Sequence, residues 1–135
     1  IIDDYAHHPI EIEYTLKAVR SGWNKRLITI FEPHLYTRTK DFYSEFAKAL
    51  SISDHVIISK IYGAREEPIK NITSQLIIND LEKINYKNSI YIENKNDIPA
   101  YLKKIVSKND MVLCMGAGKI NSILKDLIKE IERDL

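Results

Sequence analysis

Asp3-Asp4-Tyr5-Ala6-His7-His8-Pro9 sets two carboxylates, a phenol and two imidazoles side by side. Carboxylates accept hydrogen bonds from hydroxyl and amine groups, and imidazoles change charge near neutral pH. A second stretch, Glu32-Pro33-His34-Leu35-Tyr36-Thr37-Arg38, adds another imidazole and a guanidinium. Pro33 makes a stiff exit there, and His34 and Arg38 can converge on one anion. The planar Arg38 fork suits a carboxylate or a phosphate. A third, Tyr62-Gly63-Ala64-Arg65-Glu66-Glu67, puts small residues where a backbone could approach a ligand closely. The chemistry these groups suggest is recognition of a small, polar, partly anionic molecule.

Plainer roles exist for the same residues. Asp4 can cap a turn while the histidines cover a helix start. Arg38 and Lys40 suit a solvated helix face, and Arg65, Glu66 and Glu67 suit a surface ion-pair cluster. A protein-ligated transition metal is not expected. Adjacent His7 and His8 point in different directions on most backbones, and no further His or Cys spacing completes a ligand set.

These polar stretches must be positioned by what lies between them. Short β-rich runs cover 1–4, 26–31 (RLITIF), 55–59 (HVIIS), 89–93 (SIYIE) and 110–115 (DMVLCM). Segments of helical period separate them. Pro9 opens the first, Ile12, Leu16 and Val19 recur along it, and Ser21-Gly22 closes it. Others are expected from about Thr39 to Leu50, from about Ser74 to Lys83, from Ile98 to near Lys108, and as a long amphipathic helix over 120–135. Strands alternating with helices predict an α/β fold: a doubly wound, mostly parallel sheet with helices on both faces, spanning 1–135 as one domain. Ligands of such folds bind beyond the carboxyl ends of the strands. The polar stretches sit there, with three of the four histidines among them.

The last strand is followed by Gly116-Ala117-Gly118-Lys119. This is not a nucleotide loop of the form G-x-x-x-x-G-K-[ST]. Leu113 stands five places before Gly118, and Ile120 replaces the hydroxyl residue that would hold Mg2+. It reads as a tight turn into the last helix, and the chain has no phosphate-cradling loop of its own.

Composition narrows the partners. The 135 residues carry 20 Lys plus Arg against 19 Asp plus Glu, a formal +1, so no global field draws in nucleic acid or an anionic membrane. The apolar share of 44% is that of an ordinary soluble protein. No apolar run approaches a bilayer span. Cys114 lies inside MVLCM and reads as a reduced core thiol of a cytoplasmic protein.

With DDYAHHP, FEPHLYTRT, IYGAREEP and MGAGKI in this order, the sequence resembles the C-terminal domain of the Mur ligase family of bacterial cell-wall synthesis. The resemblance runs the length of the chain. It implies an ATP-dependent amide-bond-forming ligase of three domains, of which this is the last, cut from a longer chain that begins before Ile1. The other two bind the UDP sugar and, through a P-loop, ATP with Mg2+. PHLYTRT resembles the branch that joins L-alanine to UDP-N-acetylmuramate more than the branch that recycles murein tripeptide. In that reaction ATP activates the muramyl carboxylate as an acyl phosphate, which the amine of L-alanine attacks.

The resemblance further implies that Asp4 and Tyr5 face the nucleotide, while His7, His34, Tyr36 and Arg38 bind substrate. Arg38 would pair with the L-alanine carboxylate, and His34 would orient substrate by hydrogen bonds. The resemblance assigns neither a metal ligand nor a catalytic residue to this chain, and the fragment is expected to be inactive alone. Its protein partners would be the enzyme's own N-terminal and central domains. Lys119 stands where relatives often carry an acid, and is left out of the site. A free-standing α/β module binding a nucleotide or another anion is the alternative from a different class.

Overall fold

Each apolar run becomes a strand because both of its faces are covered. The computed structural model describes residues 1–132. Among these the chain forms β1 (Ile2–Asp4), α1 (Pro9–Gly22), β2 (Leu27–Phe31), α2 (Tyr36–Leu50), β3 (His55–Ile58) and α3 (Gln75–Lys83). It continues through β4 (Ser89–Tyr91), α4 (Ile98–Ile105), β5 (Met111–Met115) and α5 (Leu124–Glu132). Single 3-10 turns at Lys95–Asp97 and Ile120–Ile123 lead into α4 and α5.

The strands pair in the order β1-β5-β2-β3-β4, every pair parallel. All five residues of β2 are buried, as expected of a central parallel strand. Alternate side chains divide between two cores. Leu27, Phe31, Val56, Ile58, Leu113 and Met115 pack with α1, α2 and α3. Ile28, Ile30, Ile57, Val112 and Cys114 pack with α4, α5 and the turn before α5. The sheet is doubly wound, as its pattern of runs predicts. Among the described residues no helix is long and apolar enough to cross a membrane.

One register row decides where function can lie. Asp4 pairs with Met115, Met115 with Phe31, Phe31 with Ile58, and Ile58 with Tyr91. Strands β1, β2, β5 and β4 end on this row, as does β3. Their next backbone N–H groups still bond across it: Gly116 to Asp4, Glu32 to Met115, Ser59 to Phe31 and Ile92 to Ile58. All the strand-to-helix turns therefore leave from one edge.

Several boundaries differ from the sequence pattern, each for a local reason. Helix α2 begins at Tyr36 rather than Thr39, because its first N–H groups are capped from another loop (below). Helix α4 stops at Ile105, since Val106 turns extended at φ −77°, ψ 143°. Strand β4 ends at Tyr91, two residues before Glu93. The expected helix over 120–135 starts as a 3-10 turn and becomes α-helical only at Leu124; residues 133–135 lie outside the described part.

The core makes a simple stability prediction. Phe46 is fully buried and meets Phe31 at a ring-centroid distance of 5.2 Å. Phe46→Ala should cost about 3–5 kcal/mol in urea unfolding. Tyr14→Ala, at a side chain 76% exposed, should stay within about 0.5 kcal/mol of the parent.

Candidate functional site

Helix α1 is started by His8. Its Nδ1 accepts the Ile10 N–H at 3.4 Å, and its own N–H donates to Glu11 Oε1 at 3.0 Å, a reciprocal cap. This fixes His8 as a structural residue, its ring 5.3 Å from Phe42. The preceding turn is closed by Asp4, whose Oδ1 accepts the Ala6 N–H at 2.7 Å while Thr15 donates to Oδ2 at 3.5 Å. The sequence-level capping role of Asp4 is thus present. An ionised carboxylate has about four acceptor positions, so two such bonds leave room for a ligand hydroxyl.

His7 leaves the same turn toward the rim. Its Nδ1 donates to the Tyr5 carbonyl at 3.0 Å, so that in the neutral ring Nε2 is the acceptor. From here aromatic rings run along the edge. Tyr5 meets His7 edge-on at 5.4 Å, His7 meets His34 at 5.6 Å, and His34 meets Tyr62 at 5.7 Å. Tyr5 is 70% exposed, an open apolar face of the kind a purine can stack on.

His34 is held by strand-like pairing to Tyr62. The Leu35 N–H donates to the Tyr62 carbonyl, and the Tyr62 N–H to the Pro33 carbonyl, each at 2.8 Å. Leu35 itself sits at φ 72°, ψ 137°, a conformation strained for any residue with a Cβ. It cannot cap α2 with its side chain. Glu66, from the loop after β3, does so instead: Oε1 accepts the N–H groups of Tyr36 at 2.6 Å and Thr37 at 3.1 Å, and Oε2 accepts the Thr37 hydroxyl. Those bonds, with the nearby Arg38 charge, hold the Glu66 carboxyl below its usual range, the Thr37 hydroxyl contributing most. Arg38 therefore leaves the first turn of a helix fixed from outside.

Two side-chain nitrogens among the described residues are buried with no hydrogen-bond partner: His34 Nδ1 and Arg38 Nη1. Buried polar atoms are almost always paired, so such a pair calls for an explanation. Burial, the Arg38 charge and His7 push the His34 pKa below its ordinary 6.5. His34 is accordingly neutral at pH 7, while Arg38 keeps its charge.

The Gly turn after β5 is tied to this rim by Glu32. Its buried Oε1 accepts the N–H groups of Lys119 at 2.9 Å and Ile120 at 3.2 Å. Burial pushes the Glu32 pKa up, while those N–H groups and the charges of Lys95 and Lys119 oppose the rise. A Cβ on Gly118 would lie 2.5 Å from Glu32 Oε1 and 2.6 Å from the Tyr62 ring, so only glycine fits. The turn's leading N–H groups are thus taken by the protein's own carboxylate rather than offered to a phosphate.

Of the residues singled out from sequence, Asp4, Tyr5, His7, His34 and Arg38 lie on one edge. Tyr36 sits differently. It is 8% exposed, its ring covers Gly63, and it lines a small cavity with Ile72 and Tyr91. Glu32, Tyr62 and Glu66 are site-building residues that the sequence reading did not nominate. Their only sequence signal is position, in the segments that follow β2 and β3. Among the described residues no group of three or more His, Cys, Asp or Glu could hold a metal ion. A cavity of about 650 Å³ runs along the outer face of α1 beside Ile10 and Tyr14, and none of these groups lines it.

An open parallel sheet with a polar carboxyl edge defines a ligand-binding α/β domain. Residues 1–118 match the family described as Mur ligase, glutamate ligase domain, and the chain belongs to that family. It is 38% identical over 135 residues to the UDP-N-acetylmuramate–L-alanine ligase of Geotalea uraniireducens, covering 100% of this chain and 30% of that protein. It is 43% identical over 130 residues to the same ligase of Acetivibrio thermocellus, covering 96% of this chain and 28% of the relative. The chain thus spans under a third of these relatives. The solved UDP-N-acetylmuramate–alanine ligase of Thermotoga maritima superposes with a TM-score of 0.73 at 25% identity, over 97% of this chain and 26% of that one. A murein peptide ligase from Psychrobacter arcticus superposes at 0.75 with 20% identity over 94% of this chain and 26% of that one, a likeness of fold.

The depressed His34 pKa has a sign. Stability tied to neutral His34 is present above about pH 6.5 and is lost as pH falls through the lower folded pKa. His34 should titrate below 6.5 by NMR. Between about pH 8 and about pH 5, His34→Gln should lose less of its urea midpoint than the parent. Equal losses would show that His34 is not held neutral. His55, also depressed by burial and by Arg26, contributes alike in both proteins.

Proposed function

We propose that this chain is the amino-acid-binding and lid domain of an ATP-dependent ligase that joins L-alanine to UDP-N-acetylmuramate in bacterial cell-wall synthesis. The observation that carries the proposal is the pair of buried, unpartnered nitrogens on His34 and Arg38, on an edge shared with His7. A carboxylate seated on the Arg38 fork satisfies the guanidinium with charge-assisted bonds. His34, neutral beside it, bonds to a substrate amine or carbonyl without adding a second positive charge. His7 presents Nε2 to the same space. Tyr5 and Asp4, at the other end of the row of rings, fit the base and ribose of adenosine.

ATP, with Mg2+, would supply the phosphoryl group that activates the muramyl carboxylate. The residues of this chain position and enclose. Holding the amine near the activated carbonyl makes a two-body encounter effectively intramolecular, worth roughly 7–11 kcal/mol in favourable systems. Closing this edge over the reactants also excludes water. The self-capped Gly turn supports placing the triphosphate site on another domain, and the 28–30% coverage of the relatives leaves ample length for a sugar-binding and a P-loop domain. Buried Cys114, its thiol pushed up to about 12 by burial, accords with a cytoplasmic setting.

In the full-length enzyme, Arg38→Ala should raise the KM for L-alanine about 10- to 100-fold, the equivalent of a lost hydrogen-bonded charge contact. The KM for ATP should change little. An unchanged alanine KM would remove Arg38 from this role. Phosphate release with L-alanine but not murein tripeptide separates this enzyme from its tripeptide-joining relatives.

A further inference from the structure

The Arg38 guanidinium enters none of the ion pairs of the described residues, and its Nη1 has no partner, yet an acid lies within reach of its field. That acid is Glu66. Both its oxygens are engaged elsewhere, Oε1 by the Tyr36 and Thr37 N–H groups and Oε2 by the Thr37 hydroxyl. We propose that Glu66 is a positioning residue with two effects: it caps α2 and so aims Arg38, and, tethered by Thr37, it is kept from pairing with Arg38 and closing the amino-acid site. This rests on the reading of Arg38 given above.

Leu35, in its strained conformation, provides no side-chain cap, so the first N–H groups of α2 depend on a carboxylate from thirty residues away. Arg38 is the third residue of that helix. Its backbone is set by the turn that Glu66 holds. A carboxylate is also the ligand Arg38 would receive from an amino acid, so a released Glu66 would compete for the same fork. Thr37 restrains that competition by holding the second oxygen on its hydroxyl. Gly63, which admits the Tyr36 ring against its backbone and whose carbonyl accepts the Glu66 N–H at 2.8 Å, fixes the loop that delivers the carboxylate.

The test uses the full-length enzyme and the KM values for L-alanine and ATP. Glu66→Ala should raise the alanine KM about tenfold with the ATP KM within about twofold, while Glu66→Gln, whose amide oxygen still accepts the N–H bonds, should stay within about threefold of the parent. Thr37→Val should raise the alanine KM several-fold by freeing Oε2, and adding Glu66→Gln to Thr37→Val should bring it back. A merely structural role would move both KM values together and would not give this reversal. The proposal is overturned if Thr37→Val leaves the alanine KM unchanged, if the double variant is no better than Thr37→Val, or if Glu66→Gln behaves like Glu66→Ala. Arg38→Ala, measured alongside, keeps the two ideas apart. If it has no effect on the alanine KM, the reading of Arg38 fails; if it does and Thr37→Val does not, this inference alone fails.

Discussion

The strands are all parallel and end on one row, and everything at the rim follows from that constraint. Parallel strands need a crossover between each pair, so every strand-to-helix turn must emerge at the same edge. Both faces of the sheet are covered, so the strands themselves can hold few polar groups. Polar side chains that serve a ligand are thereby confined to the turns. Residues as far apart in sequence as Tyr5, His34, Tyr62 and Gly118 become neighbours because Asp4, Phe31, Ile58 and Met115 share that terminal row.

The same edge gathers backbone N–H groups, and the chain supplies its own anions to two sets of them. Glu66 serves α2 and Glu32 serves the turn before α5. Their environments push them in opposite directions. Glu66 lies at the surface, where its bonds from Thr37 dominate and favour the charged form. Glu32 is 4% exposed, and desolvation outweighs the two N–H bonds it accepts. Acids thus meet the backbone, while the Arg38 guanidinium and the imidazoles of His7 and His34 remain for a ligand. That division of labour leaves this edge able to receive an anionic group at Arg38.

The sheet was legible because RLITIF, HVIIS and DMVLCM are apolar on both faces, and few other structures bury such runs. Clustering of Asp4, Tyr5, His7, His34 and Arg38 was legible too, since residues that directly follow parallel strands must share an edge. The start of α2 was not. Its cap lies in Glu66, and no local pattern links a helix to an acid thirty residues downstream. Glu32 and Tyr62 stayed hidden for the same reason, as their roles are contacts across turns. Tyr36 shows the converse: a polar aromatic in a functional-looking motif whose ring is packed on Gly63. Helix α5 was misjudged at its start because a 3-10 turn and an α-helix share an apolar pattern over one turn.

Costs are concentrated in residues 34–38. Leu35 holds a strained backbone, and His34 and Arg38 each bury a nitrogen without a partner. Each such feature is worth about 1–3 kcal/mol. Together they are a substantial fraction of the 5–15 kcal/mol that typically separates folded from unfolded states. They persist because β2 on one side and the Glu66 cap on the other leave this segment no relaxed alternative. Strain of this kind clusters at ligand clamps and active sites. A carboxylate on Arg38 with a hydrogen-bonding group on His34 would satisfy both nitrogens at once.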